Sequence, residues 1–297
     1  MKDNINSCLL IGNGINQCCG GMSWEQLLSK IATKHFASQG TVQSSVLAFE
    51  QLKCTILSKN IHINANSFAL DILKELDEIN QNIFNTIFDE YLSLPISNIL
   101  TTNFDYSIER TIINGYTYKS YTKNLVLPQE KKCSRIRHSV LKDKKIFHIH
   151  GELGKSETIC LGNVHYAENL SSIMNSILDY DKETDEYSIK GAVFENELIS
   201  WAQFFFTHNI YIVGLGLYEC DMDLWWLIAF RKQMLLNQES RIKNKIVYYY
   251  LYTENNKNQN FKDCLESMDI EVRELRIDNN AWENAYLRIA ENIKADI

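Results

Sequence analysis

Apolar residues gather in short runs along this chain, and helical periodicity fills the intervals between them. Ser7 to Gly12 is one such run and predicts a buried strand closing on glycine. Runs at Asn98 to Thr102, Lys145 to His150, Thr158 to Leu161, Asn209 to Gly214, Lys245 to Tyr252 and Ile270 to Ile277 predict further strands. Ser23-Trp24-Glu25-Gln26 fits a capping box, and Trp24, Leu27, Leu28, Ile31 and His35 then share one helix face. Val46, Phe49, Leu52 and Ile56 mark a second helix. Phe68, Ile72, Leu76, Ile79, Ile83, Ile87 and Tyr91 mark a longer one that ends near Pro95. Helices are also expected at Tyr106 to Ile112, Leu170 to Leu178, Gly191 to Phe206, Met222 to Leu236 and Ala281 to Ile293. Asp179 to Glu186 is acidic and reads as a loop.

Strands alternating with helices place the chain in the α/β class. The expected architecture is a doubly wound, mostly parallel, Rossmann-like sheet with helices on both faces. The helical span 24–94 separates the first two strands and is too long for a simple crossover, so it reads as an insertion after the first strand. Only two prolines occur, and no Pro-, Gly- or Ser-rich linker or internal repeat divides the 297 residues. One domain over 1–297 is expected.

A hydrophobic content of 45% suffices for a substantial core. The densest apolar run, Leu224 to Phe230, falls far short of the ~18 residues of a membrane span. Met1-Lys2-Asp3-Asn4 leads into the first strand without a signal-peptide pattern, so a cytoplasmic protein is expected. A net charge of −7 argues against general nucleic-acid binding. The basic run from Lys131 to Lys145 is a local exception and reads first as a solvated loop. Eight cysteines occur with no Cys-x-x-Cys pair, which argues against a zinc ribbon and for reduced thiols.

Chemistry-bearing residues cluster where strands are expected to end. Gly12-Asn13-Gly14-Ile15-Asn16 closes the first strand; such a turn either cradles a pyrophosphate or simply joins strand to helix. Thr102, Asn103 and Asp105 follow the second, although Asp105 alone is also a natural helix cap. His148 and His150 alternate, so a continued strand would place both on one face. Only His165 lies near as a third ligand, which weighs against a metal site. An imidazole at the His150-Gly151 strand exit suits a general base, with His148 deeper and structural. Gly214-Leu215-Gly216-Leu217 closes a later strand. Asp221 and Asp223 follow it and read as an N-cap or a catalytic acid.

In this order the pieces resemble the sirtuin family, and more closely its bacterial sirtuin-like relatives. The matching elements are Gly12-Asn13-Gly14, Thr102-Asn103-Phe104-Asp105, His150-Gly151 and Gly214-Leu215-Gly216-Leu217. The segments Ser23 to Leu28 and Leu161 to Tyr166 also look like stretches of the bacterial relatives. The resemblance implies NAD bound across the sheet. Gly12, Asn13, Gly14, Ile15 and Asn16 would face its diphosphate and nicotinamide side. Thr102, Asn103 and Asp105 would line the nicotinamide pocket. His150 would be the catalytic histidine and Asn103 would position a water. Gly214, Gly216 and Leu217 would hold the adenosine half.

Two departures shape the expected activity. The interval 152–213 contains only Cys160, so the family's four-cysteine zinc module is missing and no metal is expected. Gly21-Met22-Ser23-Trp24-Glu25 replaces the family's arginine-bearing stretch. Both weigh against acetyl-lysine peptides and leave the NAD chemistry in place. The resemblance then implies an NAD glycohydrolase of bacterial antiphage defence, acting by abortive infection. A homo-oligomer and a partner defence subunit are implied, with 24–94 as the assembly surface. The alternatives are an NAD-dependent protein deacylase, a non-catalytic NAD or ADP-ribose sensor, and a scaffold subunit.

Overall fold

A computed structural model describes residues 5–35, 45–59, 79–115, 125–126, 134–195 and 197–297. Phe68, Ile72, Leu76, Lys131, Lys132 and Cys133 lie outside the described residues.

Strand β1 (Ser7–Ile11) is buried at all five positions. It pairs in parallel with β2 (Asn98–Thr101) on one side and β8 (Asn209–Val213) on the other. Beyond β2 lies β5 (Lys144–His148), and beyond β8 lie β9 (Ile246–Tyr252) and β10 (Ile270–Arg276), all parallel. The edge beyond β5 turns antiparallel through β4 (His138–Leu141) and β3 (Leu125–Val126). The order is β10-β9-β8-β1-β2-β5-β4-β3, eight strands in a doubly wound sheet.

Both faces of the sheet are covered, which is why the central strands read as continuous apolar runs. Cys8, Leu10, Leu100, Phe147, Ile210 and Ile212 point to one face. There they meet α6 (Asn163–Ile177), the short α7 (Phe204–Thr207) and α8 (Met222–Leu236). Leu9, Ile11, Ile99, Ile146, Tyr211 and Val213 point to the other. They meet α4 (Gln81–Leu92), α5 (Ser107–Ile112) and α10 (Trp282–Asp296). Helix α1 (Gly14–Cys18) packs on α10.

The span 24–94 contributes in two ways. Helix α4 belongs to the sheet core through Phe84, Ile87, Phe88 and Tyr91. Helices α2 (Trp24–Lys34) and α3 (Ser45–Lys59) form a separate cluster over Ile159 and Leu161. The capping box at α2 is present: Ser23 Oγ accepts from Gln26 N, and Gln26 Oε1 accepts from Ser23 N.

Four local expectations fail for identifiable reasons. Thr158 to Leu161 is no strand, because β5 already pairs with β2 and β4 and has no open edge. This segment instead supports α2 and α3. Gly191 to Phe206 is not one helix: Ser200 and Gln203 form an internal capping box that restarts the chain. Asp179 to Glu186 is no simple loop but the core of a hairpin, β6 (Leu178–Asp181) with β7 (Glu186–Ile189). A Tyr180–Tyr187 pair 5.0 Å apart brackets its turn. The basic run is solvated only in part: among the described residues Lys142 and Lys145 are exposed, but two other cations are buried. Arg137 pairs with buried Glu152 at 2.6 Å, and buried Lys144 donates to the Leu94 and Ile96 carbonyls at 2.9 Å. Helix α9 (Gln259–Ser267) is an element that the periodicity did not signal.

Candidate active site

Register places the functional loops in one row. Ile11 pairs with Thr101 and with Val213, and Thr101 pairs with His148. The segments after β1, β2, β5 and β8 therefore leave the sheet side by side. The connections reverse direction between β1 and β8, which makes this the switch point of the sheet, where open α/β folds place ligands.

The two glycine loops pack backbone to backbone at that point. Gly12 N donates to Val213 O at 2.9 Å, and Gly14 N donates to Gly214 O at 2.7 Å. A Cβ on Gly12 would stand 2.5 Å from Gly214 O, so no side chain fits. Gly214 has φ +64, a left-handed conformation that favours glycine. The β8 loop is braced from outside by Tyr248 Oη on Leu215 O at 2.6 Å and by Trp225 Nε1 on Tyr218 O at 3.0 Å.

Between these loops opens a cleft of about 810 Å³, near the top of the ~300–1,000 Å³ usual for ligand sites. Its outer wall includes Ser23, Trp24 and Leu27 of the α2 start and Val46 of α3. Asn13, Gly14, Asn16, Thr102, Asn103 and Asp105 reach it from one side. Gly214, Gly216, Leu217 and His150 reach it from the others. Gly12 and Ile15 do not line it: Gly12 is sandwiched against the β8 loop, and Ile15 is fully buried in the core.

Asn103 is pinned through its backbone. Its N–H donates to Thr101 Oγ1 at 3.1 Å, and its carbonyl accepts from His148 Nδ1 at 2.7 Å. Asp105 does act as a helix-start acceptor, taking Ser107 N at 2.8 Å and the Ser107 hydroxyl. Its other oxygen accepts from Asn16 Nδ2 at 2.6 Å.

The two histidines diverge. Strand β5 stops at His148, so the alternation that would align them does not continue. His148 Nε2 meets Glu109 on α5 at 2.9 Å, both side chains being buried. Burial opposes its charge, but the Glu109 carboxylate overcomes this and raises the imidazole to about 9. Below that pH both ring nitrogens donate, one to Glu109 and one to the Asn103 carbonyl. His150 turns instead to α8, where Nε2 meets Asp223 at 3.1 Å. Burial again opposes the charge, and the Asp223 carboxylate outweighs it, raising His150 above its ordinary value. Asp223 is fully buried and is held by Asn169 Nδ2 at 2.7 Å. Tyr166 packs edge-on to the His150 ring at 5.3 Å. Gly151 then turns the chain at φ +98, where a Cβ would strike Thr158 O.

Asp223, the partner of His150, is the residue that sequence reasoning under-read. Asp221 stands at the N-cap of α8 without a side-chain cap bond, and Asp223 Oδ1 accepts from Leu224 N at 3.0 Å within the first turn. Asp221 accepts from Tyr218 N at 2.9 Å, and burial pushes its carboxyl up to about 6, with the His150 charge opposing. The sequence signal was a second acid at the second residue of the helix, past the N-cap position. No group of three His, Cys, Asp or Glu side chains suited to a metal ion occurs among the described residues. No helix among them is long and apolar enough to cross a membrane.

A family profile described as a SIR2-like domain matches residues 97–273, more than half of the chain. The chain belongs to this family. The match takes in the Asn103 loop, the His150-Gly151 turn and the Gly214 loop, and begins after the first glycine turn. No curated protein matches the chain. Members of the family are NAD-dependent enzymes.

Proposed function

We propose that the protein is an NAD glycohydrolase, with Asn103 and His150 as its catalytic residues and NAD as its substrate. One observation carries the reading: a single cleft at the sheet's switch point is lined by both Asn103 and an imidazole whose Nε2 is tied to a buried carboxylate.

The reaction breaks the bond between nicotinamide and the ribose. Nicotinamide departs with the bonding electron pair, and positive charge develops on the anomeric carbon. A water aligned by Asn103 supplies the new C–O bond and gives a proton to His150. The products are nicotinamide, ADP-ribose and a proton. Nε2 faces Asp223, so Nδ1 is the nitrogen left to take that proton. Asp223 stabilises the resulting imidazolium and fixes the ring, as buried carboxylates do in other His–Asp pairs. A positioned base contributes roughly 10²–10⁴ in rate.

The interval 152–213 supports hydrolysis over peptide deacylation. It holds a single cysteine and is filled by α6 and the β6–β7 hairpin, a framework with no four-thiol site. Asn13, Gly14, Thr102 and Asp105 would form the nicotinamide and diphosphate side, with the buried Asn16 amide supporting them from behind and Gly214, Gly216 and Leu217 on the adenosine side. An enzyme that destroys NAD needs restraint, which fits an effector of antiphage defence held in check by self-assembly or a partner subunit. The α2–α3 layer is the proposed assembly surface. Purified protein mixed with NAD alone tests the reading. Nicotinamide release that vanishes in His150→Ala and Asn103→Ala supports it, and unchanged turnover in either variant overturns the assignment.

A further inference from the structure

Four polar groups belong to Asn103, and the protein holds all but one. The backbone N–H and carbonyl are engaged by Thr101 and His148. Nδ2 donates to Gly12 O and to Asn16 Oδ1, both at 3.3 Å. Only Oδ1 has no hydrogen-bond partner among the described residues, and Asn103 lines the cleft.

The direction of this arrangement is dictated by chemistry. Asp105 offers only acceptors to its neighbours when ionised, so the Asn16 atom at 2.6 Å from it is the amide nitrogen. Asn16 therefore presents its oxygen to Asn103. The Gly12 carbonyl is likewise an acceptor only, so Asn103 must present its nitrogen there. Acceptor-only groups at both ends leave one self-consistent orientation for both amides. Asn16 is only 3% exposed, and both ends of its amide are already engaged.

We propose that Asp105 and Asn16 are positioning residues that lock Asn103 with its side-chain oxygen toward the cleft, making Asn103 a pure hydrogen-bond acceptor in the reaction. The reaction itself rests on the NAD-hydrolase reading; the orientation does not. A water that donates to Oδ1 keeps its lone pairs free for the anomeric carbon. An inverted amide would instead donate to the water's lone pair and turn it away from attack. Asn16 thus acts through Asn103 rather than by touching the substrate.

Steady-state kinetics with NAD test the relay. Asn16→Ala removes one of the two acceptors on Asn103 Nδ2 and leaves only the 3.3 Å contact to Gly12 O, so the amide loosens and kcat falls ~10–100-fold, the usual range for misplacement of a reacting group. KM changes less than about threefold, since no substrate contact is lost. Asn16→Asp preserves the side-chain volume and covers the case where Asn16→Ala fails to fold. It sets a second carboxyl against Asp105, and two carboxyls this close share one proton. That proton replaces the amide hydrogen at low pH. At higher pH the pair repels and the relay opens, so this variant gains an alkaline loss of kcat that the wild type lacks. Wild-type kcat in Asn16→Ala, a KM raised as steeply as kcat falls, or a parallel pH profile in Asn16→Asp overturns the relay. Wild-type protein that releases no nicotinamide overturns the hydrolase reading instead.

Discussion

Glu109→Gln removes the carboxylate that meets His148 beneath the Asn103 loop, and its effect should depend on pH in a calculable way. The imidazole ionises near 9 in the folded protein against 6.5 for a free histidine. At ~1.4 kcal/mol per pH unit this corresponds to about 3 kcal/mol of stability from the charged pair. Because the folded-state value is the higher one, this contribution is complete below pH 6.5 and disappears as pH rises through 9. The neutral glutamine keeps the shape but cannot hold an imidazolium. The variant should therefore be less stable than wild type by about 3–5 kcal/mol at pH 6, the usual cost of breaking a buried ion pair. By pH 10 the gap should shrink by about 3 kcal/mol, since the wild type has lost the same charge. At roughly 2 °C per kcal/mol for a large domain, the two melting temperatures should converge by about 6 °C. Differential scanning calorimetry of both proteins at pH 6, 8 and 10 measures this. A gap that stays constant across that range would refute the ion-pair account.

Further predictions concern the cleft and its wall. Asp223→Asn removes the carboxylate that raises His150, so the acid limb of kcat/KM should move to lower pH while kcat drops at least tenfold; an unmoved limb in a pH–rate series counts against the pairing. Gly214→Ala adds a Cβ at φ +64 and within 3.3 Å of Gly14 Cα, and chemical denaturation should read a loss of ~1–3 kcal/mol. Ser23→Ala deletes half of the α2 capping box and should cost about 1 kcal/mol in the same assay, with a value near zero contradicting the cap.

The sheet was legible in the sequence because its central strands are buried on both faces. Leu9, Leu10 and Ile11 need no partner to read as a strand, and similar runs located β2, β5, β8, β9 and β10. What failed depended on context beyond the local pattern. Thr158 to Leu161 has strand composition, but β5 beside it is already paired on both sides. The β6–β7 hairpin exposes both faces and so carries no alternation. Ten of the twelve expected site residues line one cleft, because each stands just past a strand end and register aligns those ends. Gly12 and Ile15 belong to the same turn but face inward, a distinction only three-dimensional packing reveals. The pairing of His150 with Asp223 joins residues 73 apart, and no spacing rule connects them.

NAD consumption by the purified protein, followed by chromatography of nicotinamide and ADP-ribose, tests the central claim most directly. With NAD as the sole reactant, the wild type should release the two products in equal amounts, and His150→Ala should release neither while melting as a folded protein. Release that requires an added acyl peptide, or that persists unchanged in His150→Ala, would contradict the account.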